Sequence, residues 1–256
     1  MTKKRKKKRH LENKIFAFYN FYNKLSNSKV DTISISDEFR LKQNIKISSG
    51  NRVSDFTDWI YESTVGYKDE QKLRFGKSNE KKILERYIQR NPDTSIPYFK
   101  NKYSFEDEWI LEFQDLENNN DFSFKISDLR INDSYFFGRP DLVFRNNSTN
   151  DRIIIEVKTT FVPDWKLSLN KFKWYNLHCQ LWSYSFIDDF KNSPNIFLIG
   201  DIWSKTKWQI KDHETPLFWR IKKDGLLNLE NKAVNKFHNQ CKDIFNIYGG
   251  KFYEDQ

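Results

Sequence analysis

The sequence is poor in cysteine. Only Cys179 and Cys241 occur in 256 residues. Two thiols cannot supply a four-thiolate zinc or iron–sulfur site, and they suggest no disulfide framework. Long apolar runs are missing too. The longest aliphatic stretches are Ile153–Ile155 and Ile196–Ile199, where a membrane helix needs roughly 20 apolar residues. No apolar segment follows the basic N-terminus, so no secretory signal is expected. Glycine (8) and proline (6) are few. Asparagine is abundant, a composition that fits an AT-rich genome better than any particular function.

Charged residues make up 31% and aromatics 17%. That excludes a disordered polyelectrolyte. The formal charge is +9, from 44 Lys+Arg against 35 Asp+Glu. Seven of the 44 lie in Lys3–Arg9, the run KKRKKKR, leaving 37 against 35 in the body. The headline charge is therefore mostly a tail. Three readings fit that tail: a nonspecific nucleic-acid anchor, a nuclear-localisation-like signal, or a solubility device. Residues 1–14 read as this basic tail. Residues 15–256 read as one domain with an aromatic core.

Periodicity predicts a helix over Lys14–Leu25 and a polar stretch over 26–50. A second helix follows Ser54, its expected N-cap. A clear helix is expected from Gly76 to Asn91-Pro92. Trp109–Phe113 and Phe122–Ile126 read as a hairpin around Glu117–Asp121. Tyr135–Phe137 and Leu142–Arg145 flank Gly138-Arg139-Pro140-Asp141. Asn146–Asn150 is a turn, and Ile153–Lys158 a β-branched strand. A helix over Lys171–Ile187, strands at Ile196–Gly200 and Lys207–Ile210, and a helix over Asn231–Tyr248 complete the chain. The order gives a mixed α/β fold.

Four patterns carry chemistry. The Asn146–Asn150 turn folds the strands around it into a hairpin, which sets Asp141 beside Glu156. Side chains alternate along a strand, so Glu156 and Lys158 share a face and Val157 takes the other. Two carboxylates and an ammonium at a strand end suit a hard cation such as Mg²⁺ or Mn²⁺ and a phosphate. The Lys could orient or activate a water, or stabilise charge on phosphate. Glu80, within Gly76-Lys77-Ser78-Asn79-Glu80, lies in line with the apolar stripe Ile83, Leu84, Tyr87 and Ile88. A lone carboxylate there is costly unless a metal or a charged partner meets it. Gln180 and Tyr184, in Gln180-Leu181-Trp182-Ser183-Tyr184, are one helical turn apart and share a face. Their amide and phenol could bond the Lys, a phosphate or a base.

GKSNE, GRPD, EVK and QLWSY, in that order between Gly76 and Tyr184, resemble the motifs of the PD-(D/E)XK nuclease superfamily. The likeness is to its RecB-type and phage-exonuclease-like branches. The resemblance implies a restriction-endonuclease-like core over about residues 70–212, a central mixed sheet flanked by helices. It also implies Mg²⁺- or Mn²⁺-dependent cleavage of DNA, with single strands or duplex ends as substrate. Asp141, Glu156 and Lys158 would be catalytic. Asp141, Glu156, the Val157 carbonyl and Glu80 would hold the metal. Gln180 and Tyr184 would bind substrate. Many members carry His where Glu80 stands, and several branches bind an iron–sulfur cluster that two cysteines cannot supply. No phosphate-binding Gly-rich loop occurs, so no nucleotide is expected, and any helicase or replication partner would be a separate chain. Two other readings stay open. One is a catalytically inactive nucleic-acid-binding module of the same fold; the other is a nuclease subunit of a helicase–nuclease assembly. An intracellular location without membrane contact is expected.

The remaining candidates read blandly. His178 falls on another helix face from Gln180, Cys179 is a small buried hydrophobe, and His213-Glu214 and His238 lack metal-ligand spacing. Phe172, Trp174, Tyr175 and Trp182, with Trp203, Trp208 and Trp219, read first as core. The second reading has them stacking on bases, with Lys166, Lys171 and Lys173 near phosphates.

Overall fold

The computed structural model describes residues 51–64, 70–88, 109–115, 122–160, 175–205, 210–212, 217–222 and 232–253. The basic tail, the Lys14–Leu25 helix, the 26–50 stretch and the Glu117–Asp121 turn lie outside these. So do Asn91-Pro92, Lys166, Lys171–Trp174, Lys207, Trp208 and His213-Glu214.

The fold is organised by β5 (Arg152–Thr160), whose β-branched residues favour a pleated, packed strand. Ile153, Ile154, Ile155 and Val157 are fully buried. Each such burial is worth about 1.5–3 kcal/mol, so the strand is held from both faces. β4 (Leu142–Asn146) lies antiparallel to it, with Leu142 opposite Ile155. Asn146 closes the connecting turn as foreseen. Its side-chain oxygen accepts from the amides of Ser148 (2.8 Å) and Thr149 (2.9 Å), and Asn150 takes a left-handed φ of 60°.

β6 (Asn195–Lys205) runs parallel to β5 on its other side, and α3 (Tyr175–Tyr184) lies in the crossover between them. β1 (Trp109–Gln114) pairs with β4. β7 (Ile210–Asp212) and β8 (Leu217–Lys222) pair with successive parts of β6. The six strands form a mixed sheet.

One face packs Ile153, Ile155 and Val157 with Trp109, Phe144, Phe197 and Ile83. Ile83 comes from α2 (Glu70–Ile88). The other face, through Ile154, Val143 and Leu198, meets α3, α1 (Val53–Thr64) and α4 (Lys232–Tyr248). Beyond these helices lies a second sheet, ordered β3 (Ser134–Gly138), β2 (Phe124–Ile131), β9 (Gly250–Phe252). The coarse class is thus as expected, mixed α/β with helices flanking a mixed sheet. Among the described residues no helix is long and apolar enough to cross a membrane.

Several local expectations are corrected. Trp109–Phe113 and Phe122–Ile126 are not a hairpin; β1 and β2 belong to different sheets. β2 turns into β3 through Asn132-Asp133, both left-handed (φ 48° and 63°), which is the tight hairpin geometry. Gly76 does not begin its helix. It lies inside α2, where a Cβ would sit 3.6 Å from the Thr159 hydroxyl oxygen, an ordinary contact that places this turn of the helix against β5. Ser54 is within the first turn of α1 rather than at its cap, and its carbonyl accepts from the Thr57 hydroxyl at 3.1 Å. Sequence reading missed β8 and β9. The Gly250 backbone lies against the Phe245 ring, leaving no room for a side chain at the start of β9.

Candidate active site

The β4–β5 register places Asp141 across from Glu156, at the end of the sheet. Two backbone links fix it there. The Asp115 amide donates to the Asp141 carbonyl at 2.9 Å, continuing the β1–β4 ladder. The Val157 amide donates to Asp141 Oδ2 at 2.7 Å. The expectation for Val157 concerns its carbonyl; the contact shown is made by its amide.

Glu156 and Lys158 share a face, as alternation requires. Lys158 Nζ donates to Glu156 Oε1 at 2.7 Å. The same oxygen accepts from Gln180 Nε2 at 2.5 Å. Gln180 Nε2 also donates to Tyr184 Oη at 3.1 Å, and Tyr184 Oη donates to the Arg139 carbonyl at 3.0 Å. A continuous chain of donors thus runs from the Gly138–Asp141 segment through α3 to Glu156. Gly138 is required in it, because a Cβ there would come within 2.8 Å of the Tyr184 ring. Arg139 itself pairs with Asp115.

Gln180 and Tyr184 are both buried, and their donors are engaged by Glu156, by each other and by the Arg139 carbonyl. In this arrangement Gln180 holds Glu156, and Tyr184 ties Gln180 to the Arg139 carbonyl. Asp115 and Gly138 are contributors that motif reading passed over; GRPD held Gly138 in view, and nothing in the sequence marked Asp115.

Glu80 comes from α2, on the opposite face of the sheet, and is half-buried. Its charge bears on all three polar residues. Burial raises the Asp141 pKa well above the usual carboxylate value; the charges of Glu156 and Glu80 add to that, and Lys158 opposes. Burial raises Glu156 too, against the pull of Lys158. For Lys158 burial favours the neutral amine, but Glu156, Glu80 and Asp141 together overcome it and hold the proton more tightly than in water. Tyr184 is kept a neutral phenol by burial and by the Glu156 charge.

Three carboxylates against one ammonium leave two negative charges over when all are ionised. Glu156 Oε2 is in addition buried with no hydrogen-bond partner among the described residues. Such an atom costs about 1–3 kcal/mol or more when charged. Among the described residues no three or more His, Cys, Asp or Glu side chains form a group that could hold a metal ion. The fit to a divalent cation rests instead on the surplus charge, the orphaned oxygen and the all-oxygen character of the acids.

No family model matches this chain, and no curated protein does. A solved structure described as "Crystal structure of SSO0001" is similar at 11% identity with a TM-score of 0.29. The likeness covers 84% of this chain and 86% of that one. A likeness of that size bears on neither fold nor activity.

Elsewhere the described residues fit the bland readings, and the side chains of Trp203 and Trp219 lie outside the description. Trp182 is core, with its indole N–H donating to His238 Nδ1 at 3.1 Å. Cys179 and Cys241 are free and buried. His178 is half-buried against the Phe237 ring, and burial lowers its pKa to about 4.

Proposed function

We propose that this protein is a divalent-metal-dependent deoxyribonuclease built on a restriction-endonuclease-like core. The observation that carries the reading is the convergence of Asp141, Glu156 and Lys158 at one sheet end with negative charge and an acceptor oxygen to spare. A phosphodiester is itself an anion, so a site with surplus carboxylate repels it unless a cation intervenes.

Asp141 and Glu156, with Glu80 assisting, are the residues that would hold Mg²⁺ or Mn²⁺. When bound, such an ion polarises a phosphoryl oxygen and lowers the pKa of water. Lys158, whose proton the neighbouring acids retain, serves as a fixed positive charge for the oxygens of the phosphate as negative charge develops. That favours electrostatic stabilisation over a role as general base. Gln180 and Tyr184 keep Glu156 in place. Water adds to phosphorus, one P–O bond breaks, and the products are a phosphate monoester and an alcohol. Repair, recombination or replication is the setting such an activity suits.

The test is cleavage of labelled linear and circular DNA, single- and double-stranded, with Mg²⁺ or Mn²⁺ and with EDTA. Metal-dependent cutting that disappears in Asp141→Ala and Lys158→Ala is the expected outcome. Cutting without metal, or surviving both substitutions, would sink the mechanism. Binding without cutting under any divalent metal would leave a nucleic-acid-binding module.

A further inference from the structure

The outer face of the three-stranded sheet is unlike the rest of the described surface. Alternation, reset by the register shift between Ile126 and Arg130, sends Ile126, Ile131 and Phe136 into the core. It sends Lys125, Arg130 and Tyr135 outward. The register sets Arg130 opposite Tyr135 on one side and opposite Lys251 on the other, so a ring and two cations cross the sheet in one row.

Their geometry is ordered. Arg130 Nε donates to the Ser127 carbonyl at 3.2 Å. Its guanidinium lies 4.9 Å from the Tyr135 ring and 4.5 Å from the Tyr253 ring, held between the two. Lys125 Nζ is 3.6 Å from the Tyr135 centroid. Tyr135 is nonetheless 39% exposed, one of two large aromatics so exposed among the described residues.

Among the described residues the charge on this face is uncompensated. Among the described residues no acid pairs with Lys125, Arg130 or Lys251. Asp128, on the same strand, is buried and taken by Lys191 at 2.9 Å. Among the described residues Asp133, in the β2–β3 turn, is the exposed acid nearest in sequence to Arg130; Glu254 and Asp255, which follow Tyr253, lie outside the described residues. Three cations interleaved with one exposed and one half-buried tyrosine ring on a sheet face match a polyanion that also offers flat faces. A nucleic acid strand has both, and its bases are free to stack only where it is single. Cations already stacked on rings are preorganised, so contact with phosphate costs them less rotamer entropy.

We propose that this face is a track for single-stranded nucleic acid leading to the Asp141 end of the larger sheet. The destination rests on the nuclease reading. β3 carries the chain from Tyr135 straight into Gly138-Arg139-Pro140-Asp141. Asp141 lies six positions after Tyr135, at most about 20 Å of extended chain. A few nucleotides span that distance. Lys125, Arg130 and Lys251 meet phosphates, and Tyr135 takes a base.

The test is equilibrium binding of a fluorescent single-stranded oligonucleotide and of a duplex of equal length, by anisotropy in EDTA across a salt series, using the full chain. Lys125→Ala/Arg130→Ala/Lys251→Ala should weaken single-strand binding at least tenfold and flatten the log–log salt slope by about 2, near 0.7 for each lost phosphate contact. Tyr135→Ala should weaken it on the order of tenfold without altering the slope. Lys125→Glu/Lys251→Glu keeps the Arg130 packing and should show the same loss with an unchanged melting temperature. If that double variant binds single strands with wild-type affinity and slope, or if the wild type shows no preference for single strands, the track does not exist. Because EDTA removes cleavage, a protein that binds as described but never cuts keeps this proposal and loses the nuclease reading. One that cuts while ignoring the charge reversals loses only this proposal.

Discussion

The two ends of the β4–β5 pairing carry polar clusters of opposite character. At one end Arg152 is closed on all sides. Nε and Nη2 donate to the two Glu112 oxygens at 2.8 and 2.9 Å, Nη1 donates to Ser193 Oγ at 2.6 Å, and the guanidinium lies 5.0 Å from the Phe190 ring. At the other end Glu156 has one oxygen bonded twice and one bonded to nothing among the described residues. Both clusters sit on the same strand and are held by the same ladder. What differs is closure. A cluster that satisfies itself explains itself as structure. One that leaves charge and an acceptor over is completed by something outside the chain.

The largest expected effect separates the two ends by activity. Asp141→Ala or Lys158→Ala should lower DNA cleavage about 10²–10³-fold or more in a steady-state assay, the scale seen when one preorganised electrostatic group is lost. Substitution at Arg152 should leave per-molecule cleavage near wild type at low temperature.

Next in size, the comparison inverts when stability is measured. Arg152→Ala should cost about 2 kcal/mol in urea denaturation, the low end for a broken pair because Glu112 is 29% exposed. Asp141→Asn should stabilise the metal-free protein by roughly 1 kcal/mol, since it removes a charge the site does not welcome.

That last effect carries a pH signature. An Asp141 pKa raised in the fold means the folded state binds the proton more tightly than the unfolded chain does. Its contribution is therefore complete at pH below the unfolded value and is lost as pH rises through the raised one. The advantage of Asp141→Asn should grow as pH increases from about 4, the ordinary carboxylate value. Denaturation midpoints of both proteins along a pH series check the sign. An advantage that shrinks with rising pH would mean that Asp141 is stabilised as the anion.

Much of the larger sheet end is legible from sequence, for identifiable reasons. Ile153–Ile155 announces a strand buried on both faces, so Glu156 and Lys158 stand out on it. Asn146–Asn150 announces the turn, and the two together set Asp141 beside Glu156. Gln180 and Tyr184 are correctly placed on one helix face, but spacing names a face and not what it opposes. That face opposes Glu156 and the Arg139 carbonyl.

The smaller sheet is far less legible. Asn132-Asp133 carries a real hairpin signal, since both residues tolerate a left-handed backbone, yet the longer polar run Glu117–Asp121 draws the eye. Gly76 reads as a helix boundary when it is a contact with β5. β9 is three residues long, too short for any period to show. The basic and aromatic row depends on pairing between β2, β3 and β9, so no stretch of sequence contains it.

The central claim is that the surplus charge at the Glu156 end is built for a divalent cation. The most direct measurement is a calorimetric titration of Mn²⁺ into the wild type and into Asp141→Asn. The account predicts saturable binding to the wild type that the substitution abolishes, together with a rise in wild-type melting temperature of the size that binding implies. Equal binding by both proteins, or none by the wild type, would contradict it.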